Sequence, residues 1–320
     1  MLFQKIFIEE QVKDHARTRQ ILAKIGADKE LHYIRKVEDV FGRVYRPYLQ
    51  KREDLNLFIG RKEGQLIKAT PEAYGTGSGL HYYFIHQYNC IYECEYCYLQ
   101  GYFHSPDIVL FVNHEEIATE IEKLCRETHQ DEKEVWFHAG EFSDSLALSN
   151  LTEEWPLYWD LFSDLPNGRL ELRTKSANTR GLAQLPPRDN IFLSWSLSPE
   201  QAAQQYEHKV PPVKARIQAM AKVASAGHKL GVHLDPIVMS DNVTESYRQL
   251  VHQLLTEVPE SSLSYLSLGT VRFSKDVFQT LQKNYPGSSL LGQEFVSGYD
   301  AKVRYFRPLR RKLMGDIREI

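Results

Sequence analysis

The sequence predicts an α/β protein: a partial (β/α)6 TIM-type barrel with an N-terminal extension and a C-terminal β-hairpin. From Leu80 onward, six short apolar or alternating runs are separated by longer segments with helical apolar spacing. This alternation is typical of βαβ units around a parallel sheet. Six repeats suit a partial barrel better than a full eightfold one, and a doubly wound open sheet is the alternative.

The chain divides into three predicted segments. Residues 1–79 form an N-terminal α/β extension, which ends in a Gly/Ser/Thr-rich stretch at residues 75–79 that we expect to be a flexible link. Residues 80–290 form the barrel, and residues 291–320 form a basic hairpin. The six predicted strands are LHYYFIHQ, VWFHAGE, LELRTKS, IFLSWSLS, KLGVHLDPIV and LSYLSLGTVRFS.

The composition indicates a globular protein with no overall preference for nucleic acid. A chain of 320 residues with 42% hydrophobic content can bury a sizeable core without disulfides. The net charge of -3 and the pI near 6.5 give no global attraction to nucleic acid, so such binding requires a local basic patch. No signal peptide and no run of 18 apolar residues is visible, so we expect a cytoplasmic monomer without membrane contact.

Three of the four cysteines lie within eight residues, directly after the first predicted strand. They are Cys90, Cys94 and Cys97, in the pattern C-x3-C-x2-C. A disulfide framework is not distributed in this way, so the group predicts a metal or Fe-S site. Three thiolates can hold three irons of a [4Fe-4S] cubane and leave the fourth iron open to a ligand. The alternative is a zinc site completed by His86 or His104.

This spacing and position resemble those of the radical S-adenosylmethionine (SAM) superfamily. The resemblance implies a partial (β/α) barrel and a [4Fe-4S] cluster whose open iron chelates the amino and carboxylate groups of SAM. It also implies that reduction by an external donor such as flavodoxin or ferredoxin cleaves SAM to a 5'-deoxyadenosyl radical, which abstracts hydrogen from the substrate.

Polar residues at the ends of the predicted strands are candidate SAM contacts. Ala139-Gly140-Glu141 ends the second strand and resembles the GGE-type motif that contacts the methionyl amino group, and Lys175 ends the third strand, where it can pair with the SAM carboxylate. The predicted cofactor-binding set is Tyr98, Gly140, Glu141, Ser143, Lys175, Ser194, Ser196, His233 and Asp235. For each of them the alternative is a strand-end residue that faces water.

Within this superfamily, the run CEYCYLQ at residues 94–100 resembles the C-x3-C-x-Y-C-Y-L-Q signature of the spore photoproduct lyase family. That family reverses a methylene-bridged thymine dimer in DNA, and its chain length, mixed N-terminal region and DNA-opening C-terminal hairpin are similar. The resemblance implies that Tyr96 and Tyr98 relay hydrogen back toward SAM. The alternative for both tyrosines is ordinary aromatic packing around the cluster.

One departure from the family pattern concerns the hydrogen donor. In the family, a cysteine in a context like F-E-A-A-C-T-S-D donates hydrogen to the substrate radical. Here the corresponding run at residues 137–144 is FHAGEFSD, and Glu141 stands at the place of the cysteine. Cys125 lies on the apolar face of a predicted helix, where we expect a buried core thiol. Either a tyrosine quenches the product radical, or the lesion differs and needs no thiol. Glu141 is also a candidate proton donor or acceptor.

The segment at residues 302–312, KVRYFRPLRRK, has six basic residues, no acid and interleaved aromatics. Cations of this kind pair with phosphates, and Tyr305 or Phe306 would stack on bases or wedge between them. The predicted DNA contacts are Arg272, Lys302, Arg304, Tyr305, Arg307 and Arg310, extended by Arg43, Arg46, Lys51 and Arg52. A solvated basic tail is the alternative.

Together these features predict a radical SAM lyase that repairs thymine-derived photolesions or photoadducts in duplex DNA. It would act by hydrogen abstraction and carbon-carbon bond cleavage after flipping the damaged bases into its pocket. The candidate catalytic residues are Tyr96, Tyr98 and Glu141. The alternatives are a radical SAM enzyme that modifies RNA, a peptide or a small molecule, and a non-catalytic Fe-S or zinc protein that binds DNA.

Overall fold

The computed structural model describes residues 3–26, 28–46, 48–49, 54–71, 79–128 and 134–320. Most of the predicted flexible link, at residues 75–78, lies outside the described residues. The predicted DNA contacts Lys51 and Arg52 also lie outside them.

The described part of the chain contains both strands and helices, and no α-helix lies between β2 and β7. The strands are β1 (Phe3–Glu9), β2 (Glu30–Ile34), β3 (Leu55–Gly60), β4 (Ile67–Ala69), β5 (Leu80–Phe84), β6 (Gln87–Tyr88), β7 (Glu93–Cys94), β8 (Ile108–Phe111), β9 (Val135–Ala139), β10 (Gly168–Thr174), β11 (Ile191–Ser196), β12 (Glu207–His208), β13 (Lys229–Ile237), β14 (Leu263–Thr270), β15 (Arg272–Ser274), β16 (Val296–Ser297) and β17 (Lys302–Arg304). The helices are α1 (Ala16–Ile25), α2 (Leu99–Tyr102), α3 (His114–Thr128), α4 (Ser149–Thr152), α5 (Trp155–Ser163), α6 (Glu200–Tyr206), α7 (Val213–Ser225), α8 (Val243–Glu257), α9 (Lys275–Asn284) and α10 (Arg307–Arg318).

The largest sheet has seven strands in the order β14-β13-β11-β10-β9-β5-β4. Its six strands from β5 to β14 pair in parallel, and only the edge strand β4 is antiparallel to its neighbour. Each of these parallel strands overlaps one of the six predicted runs, and helices connect them. The predicted succession of βαβ units is therefore confirmed.

The pleat of this sheet separates apolar from polar side chains. On β10, Leu170 and Leu172 are completely buried, while Glu171 and Arg173 between and after them point to the opposite face. The helices cover the apolar face, and α5 contributes large buried aromatic side chains to it. The polar face forms the interior of the partial barrel and carries the site described below.

A second sheet crosses the predicted boundary at residue 79. It has five strands in the order β2-β1-β3-β8-β6, so β6 and β8 come from the segment assigned to the barrel. Every side chain of β8 is buried, and β8 pairs in parallel with β3 of the N-terminal region. The N-terminal region is therefore not an independent extension, because its sheet is completed by strands on either side of the cysteine loop.

The C-terminal segment combines a small antiparallel sheet with a helix. Strands β16 and β17 form the predicted hairpin, and β15 pairs with the other side of β17. The hairpin does not fill the predicted segment at residues 291–320, because α10 begins at Arg307 with a proline in its first turn. Within the described ranges, no helix combines the length and the apolar content needed to cross a membrane.

Candidate active site

The three clustered cysteines line one cavity of about 540 Å³ at the carboxyl ends of the parallel strands. Seven of the nine predicted SAM contacts line the same cavity. They are Tyr98, Gly140, Glu141, Ser143, Lys175, Ser196 and Asp235. The carboxyl ends of parallel strands meet at one edge of a sheet, which explains why residues so distant in sequence converge.

The cysteine loop is closed by its own polar contacts. Asn89, which has a positive φ of 63°, donates side-chain hydrogen bonds to the carbonyl oxygens of Ser105 at 2.8 Å and Asp107 at 2.7 Å. The Cys90 Sγ accepts a hydrogen bond from the Tyr92 backbone N–H at 3.4 Å. All four cysteines lie in the described part of the chain and none forms a disulfide. Three thiols on one loop beside an open cavity fit the donor set of a [4Fe-4S] cluster with one open iron.

The alternative zinc site requires His86 or His104 as a fourth ligand beside the three cysteines. His86 is buried and its ring nitrogens bind Ser143 and Glu154, and His104 packs beside Tyr45, with ring centroids 6.3 Å apart. Neither histidine lines the cavity. Cys125 is buried on α3 as expected, and burial raises the pKa of its thiol to about 12.

Tyr96 is held by a buried ion pair that the sequence did not reveal. Its hydroxyl donates to Glu207, whose other oxygen accepts from the buried Arg216. The Lys175 Nζ lies 3.9 Å from Glu207 and 5.6 Å from the centre of the Tyr96 ring. Burial opposes ionisation of Glu207, but the charges of Lys175 and Arg216 outweigh it and lower the pKa of this carboxyl. Burial and the nearby Glu207 charge raise the pKa of Tyr96 well above its usual range, so its phenol is protonated.

Tyr98 and Glu141 form a hydrogen-bonded pair in the cavity. The Tyr98 hydroxyl donates to Glu141 Oε1 at 3.1 Å and accepts from the Phe142 backbone N–H at 3.1 Å. Gly140 permits this turn, because its φ is 92° and a Cβ there would lie 2.7 Å from the Ser145 Oγ. Tyr98 is 40% exposed, but desolvation of its hydroxyl and the Glu141 charge raise its pKa above the usual range, so it carries its hydrogen at neutral pH.

Ser143 is oriented by a buried histidine and glutamate. Its Oγ lies 3.1 Å from His86 Nε2, and His86 Nδ1 lies 3.1 Å from Glu154 Oε1. In the tautomer whose Nδ1–H donates to the Glu154 carboxylate, Nε2 accepts the Ser143 hydroxyl hydrogen. The lone pairs of the Ser143 oxygen then remain available to a donor in the cavity.

Two predicted SAM contacts, Ser194 and His233, do not line the cavity. Ser194 is completely buried and donates to Glu171 at 2.8 Å, and His233 binds Glu171 on one side and the Ser267 hydroxyl on the other. Both residues lie on the interior face of the sheet, but one or more residues before the strand ends. They belong to a polar network within the barrel rather than to the cavity.

Tyr305 was predicted to contact DNA, but the structure buries it. Its side chain is 1% exposed, and its ring stacks on Phe295 with centroids 4.9 Å apart. Its hydroxyl donates to Gln293 and accepts from the Met239 backbone N–H at 3.0 Å. Tyr305 follows directly after β17 and packs into the core, where its hydroxyl finds hydrogen-bond partners. It therefore cannot reach a base. Phe306 is half exposed, and Tyr299 at the tip of the hairpin is fully exposed.

The other predicted DNA contacts lie around the cavity mouth and on α10. Lys302 and Arg272 line the cavity, and Arg272 pairs with Asp235 at 3.0 and 3.1 Å. Arg304 pairs with Asp300 at 2.8 Å, within the hairpin. The remaining positions are Arg307 and Arg310 on α10, together with Arg43, which donates to the Glu38 carbonyl, and Arg46, which pairs with the buried Asp107.

Comparison with known proteins gives a consistent result. The model of the family described as "Spore photoproduct lyase" matches residues 79–301, which is well over half of the chain. The spore photoproduct lyase of Bacillus subtilis (strain 168) is 28% identical over 204 residues, 63% of this chain and 59% of that protein. The chain thus aligns with less than two thirds of the Bacillus protein. The spore photoproduct lyase of Clostridium acetobutylicum is 19% identical over 294 residues, 90% of this chain and 84% of that protein.

Solved structures share the same fold. A spore photoproduct lyase mutant with bound AdoMet and dinucleoside spore photoproduct has a TM-score of 0.84 at 20% identity, covering 100% of this chain and 96% of that one. Another structure, complexed with dinucleoside spore photoproduct, has a TM-score of 0.84 at 19% identity, covering 99% and 94%. These likenesses confirm the predicted α/β architecture. The chain belongs to the spore photoproduct lyase family.

Proposed function

We propose that this protein is a radical SAM lyase that repairs thymine-derived photolesions or photoadducts in duplex DNA by hydrogen abstraction and carbon-carbon bond cleavage. One observation carries the proposal: a single cavity joins three clustered thiols to a tyrosine–glutamate pair, to Lys302 of the C-terminal hairpin and to Arg272 of the strand beside it. Family membership supports the same reaction class.

The residues fit a [4Fe-4S] cluster and SAM. Cys90, Cys94 and Cys97 would hold the cluster, and when bound the two groups supply a carbon radical strong enough to abstract hydrogen from the lesion. Ser143 offers oxygen lone pairs to an ammonium group, and Lys175 offers a cation to a carboxylate. The cluster needs an external electron donor such as flavodoxin or ferredoxin. The cytoplasmic location and the monomeric state remain proposals.

Tyr98 is the proposed source of the hydrogen atom that quenches the product radical. Among the described residues that line the cavity, the only thiols are the three cluster ligands, while the Tyr98 hydroxyl is present and protonated. Its O–H hydrogen would pass to the carbon radical of the lesion and leave a tyrosyl radical at Tyr98. A hydrogen atom from Tyr96 would restore Tyr98, as the family resemblance implies, and an electron from the external donor together with a proton would restore Tyr96. Glu141 holds the phenol in one orientation during this transfer.

The hairpin and α10 form the proposed DNA face. Tyr299 takes the wedge role first predicted for Tyr305, because its ring is fully exposed between the two hairpin strands. Lys302, Arg307 and Arg310 supply cations for the phosphates on either side. A wedge beside the cavity mouth would offset the cost of unstacking a damaged base pair, which is lowest where the lesion already distorts the duplex.

The test is an anaerobic assay of the reconstituted protein with oligonucleotides that carry spore photoproduct, cyclobutane dimers, 6-4 products or drug-thymine photoadducts. We expect restored thymine together with 5'-deoxyadenosine for at least one of these lesions. Formation of 5'-deoxyadenosine without repair of any thymine lesion would favour a radical SAM enzyme with an RNA, peptide or small-molecule substrate. Zinc in place of iron and sulfide would favour a non-catalytic protein.

A further inference from the structure

A second group of charged side chains lines the cavity and has no part in the chemistry described above. Arg173 at the end of β10, Asp235 on β13 and Arg272 on β15 all face into it. Charged groups beside a cavity are costly unless they are paired, so their pairing indicates what remains available to a ligand.

Arg173 is held from beneath by the buried carboxylate of Glu171. The Arg173 Nη2 lies 3.1 and 3.3 Å from the two Glu171 oxygens. Glu171 is 1% exposed and also accepts from Ser194, from Tyr265 at 2.7 Å and from two histidines. So many partners fix the carboxylate, and the carboxylate in turn fixes the guanidinium and neutralises its charge.

The rest of the Arg173 guanidinium faces the cavity. Its side chain is 44% exposed, and the described side-chain partners of Arg173 bind through Nη2 alone. A guanidinium carries five N–H donors in a planar fork, so Nε and Nη1 of this cavity-lining residue are further donors besides Nη2. Because Glu171 already compensates the charge, a neutral oxygen acceptor suits this fork better than a second anion.

Asp235 supplies the complementary acceptor. Its two oxygens bind Arg272 at 3.0 and 3.1 Å, and each oxygen has a further lone pair. Gly269 makes room for this carboxylate, because a Cβ there would lie 2.6 Å from the Asp235 Cγ. The fold thus places a fixed donor and a fixed acceptor on the wall of one cavity.

We propose that Arg173 and Asp235 read the imide edge of a thymine base within the lesion, as specificity-determining residues. Arg173 donates to a ring carbonyl oxygen, and Asp235 accepts the neighbouring N3–H. This inference rests on the proposed function and deepens it. A phosphodiester fits the pair poorly, because it has no hydrogen for Asp235 and carries a charge of the same sign. Lys302, whose ammonium has no carboxylate partner among the described residues, is the cation left for phosphate.

The experiment measures binding of a dinucleoside thymine lesion, and of the same lesion methylated at both N3 atoms, to the reconstituted protein with SAM. For the wild-type protein we expect methylation to weaken binding about tenfold, because it leaves the Asp235 carboxylate without its partner. Asp235→Ala should reduce this difference to less than about twofold. Arg173→Gln should weaken binding of the unmethylated lesion about tenfold. Arg169→Gln is the matched control, because Arg169 lies on the same strand but pairs with Glu134 outside the cavity.

Three outcomes overturn the inference. Equal binding of the two lesions by the wild-type protein, at normal repair activity, excludes imide recognition and leaves the proposed function intact. A methylation penalty that persists in Asp235→Ala shows that the methyl group acts by size alone. Failure of the wild-type protein to bind or repair any thymine lesion overturns both proposals. The wild-type comparison does not depend on whether either cavity variant folds.

Discussion

The cysteine loop and the basic C-terminal segment differ in how closely their structures follow their sequence patterns. In the loop, three cysteines at fixed spacing converge on one cavity as expected. In the segment, basic residues with interleaved aromatics predicted a hairpin that contacts DNA, but the chain turns into α10 at Arg307 and buries Tyr305. Ligand spacing depends on local chain geometry, whereas the fate of an amphipathic run depends on what it packs against. Four experiments sharpen this contrast.

The largest effect is expected at the cysteine loop. Cys94→Ala removes one of three ligands, so the reconstituted protein should lose its cluster and form no 5'-deoxyadenosine. Iron and sulfide content and product chromatography measure both. Cys125→Ala is the control: we expect a full cluster and a loss of about 1–2 kcal/mol in the free energy of unfolding, because a buried group is deleted. A normal cluster in Cys94→Ala would refute the assignment of the loop.

A smaller but still large effect is expected for Tyr98→Phe. This change keeps the ring and removes the hydrogen paired with Glu141, so repaired thymine should fall about 100-fold while formation of 5'-deoxyadenosine continues. The ratio of the two products is the measurement. Tyr102→Phe is the control, because that tyrosine also lines the cavity but does not bind Glu141. An unchanged ratio in Tyr98→Phe would show that another group quenches the radical.

Acid should weaken the barrel through its buried histidines before it affects the exposed C-terminal charges. Burial lowers the pKa of His114 from 6.5 to about 4. Below pH 6.5 the unfolded state therefore binds a proton that the folded state does not, and stability is lost as the pH falls from 6.5 toward 4. We expect a loss of about 2–3 kcal/mol between pH 6.5 and 4.5 from this residue, measured by urea unfolding.

His114→Asn should flatten that part of the pH dependence, and substitution of the exposed His252 should not. Glu171 adds a further loss of folding stability at lower pH. Burial opposes its ionisation, but Arg173 and the two histidines hold its pKa well below the usual range. Its contribution is present above the ordinary glutamate pKa and disappears as the pH falls through the lower folded-state value. A constant free energy of unfolding from pH 6.5 to 4.5 would contradict the buried, neutral state of His114.

The smallest effect separates two tyrosines of the C-terminal segment. Tyr299→Ala should weaken binding of damaged duplex DNA about tenfold and leave stability unchanged, because the ring is exposed and one stacking contact is lost. Tyr305→Phe should do the reverse, costing about 1–2 kcal/mol through two lost hydrogen bonds and leaving DNA binding intact. Fluorescence anisotropy and thermal unfolding distinguish them. Weaker DNA binding in Tyr305→Phe alone would restore the role first predicted for it.

The strands and the convergence of the three cysteines on one cavity could be predicted because their signals are local in the sequence. Alternating patterns marked all six parallel strands, and eight residues contained all three cysteines. The supporting network could not be predicted in this way. Tyr96 and Glu207 are 111 residues apart, and Tyr265 and Glu171 are 94 apart, so only the fold brings them together. The sequence did not show that Ser194 and His233 lie outside the cavity lining, since depth along a strand decides which interior residue reaches the cavity.

The sheet shared by the N-terminal region and the flanks of the cysteine loop has a consequence for dissecting the protein. A fragment that started at residue 80 would keep all six parallel strands, yet β8 would lose β3 along its whole length. The four apolar residues of β8 would then form an exposed sheet edge, and their unpaired backbone amides would be open to pairing with strands of other chains. We expect such a fragment to self-associate and its cysteine loop to be distorted. Residues 1–79 and residues 80–320 therefore cannot be purified as two separate functional domains.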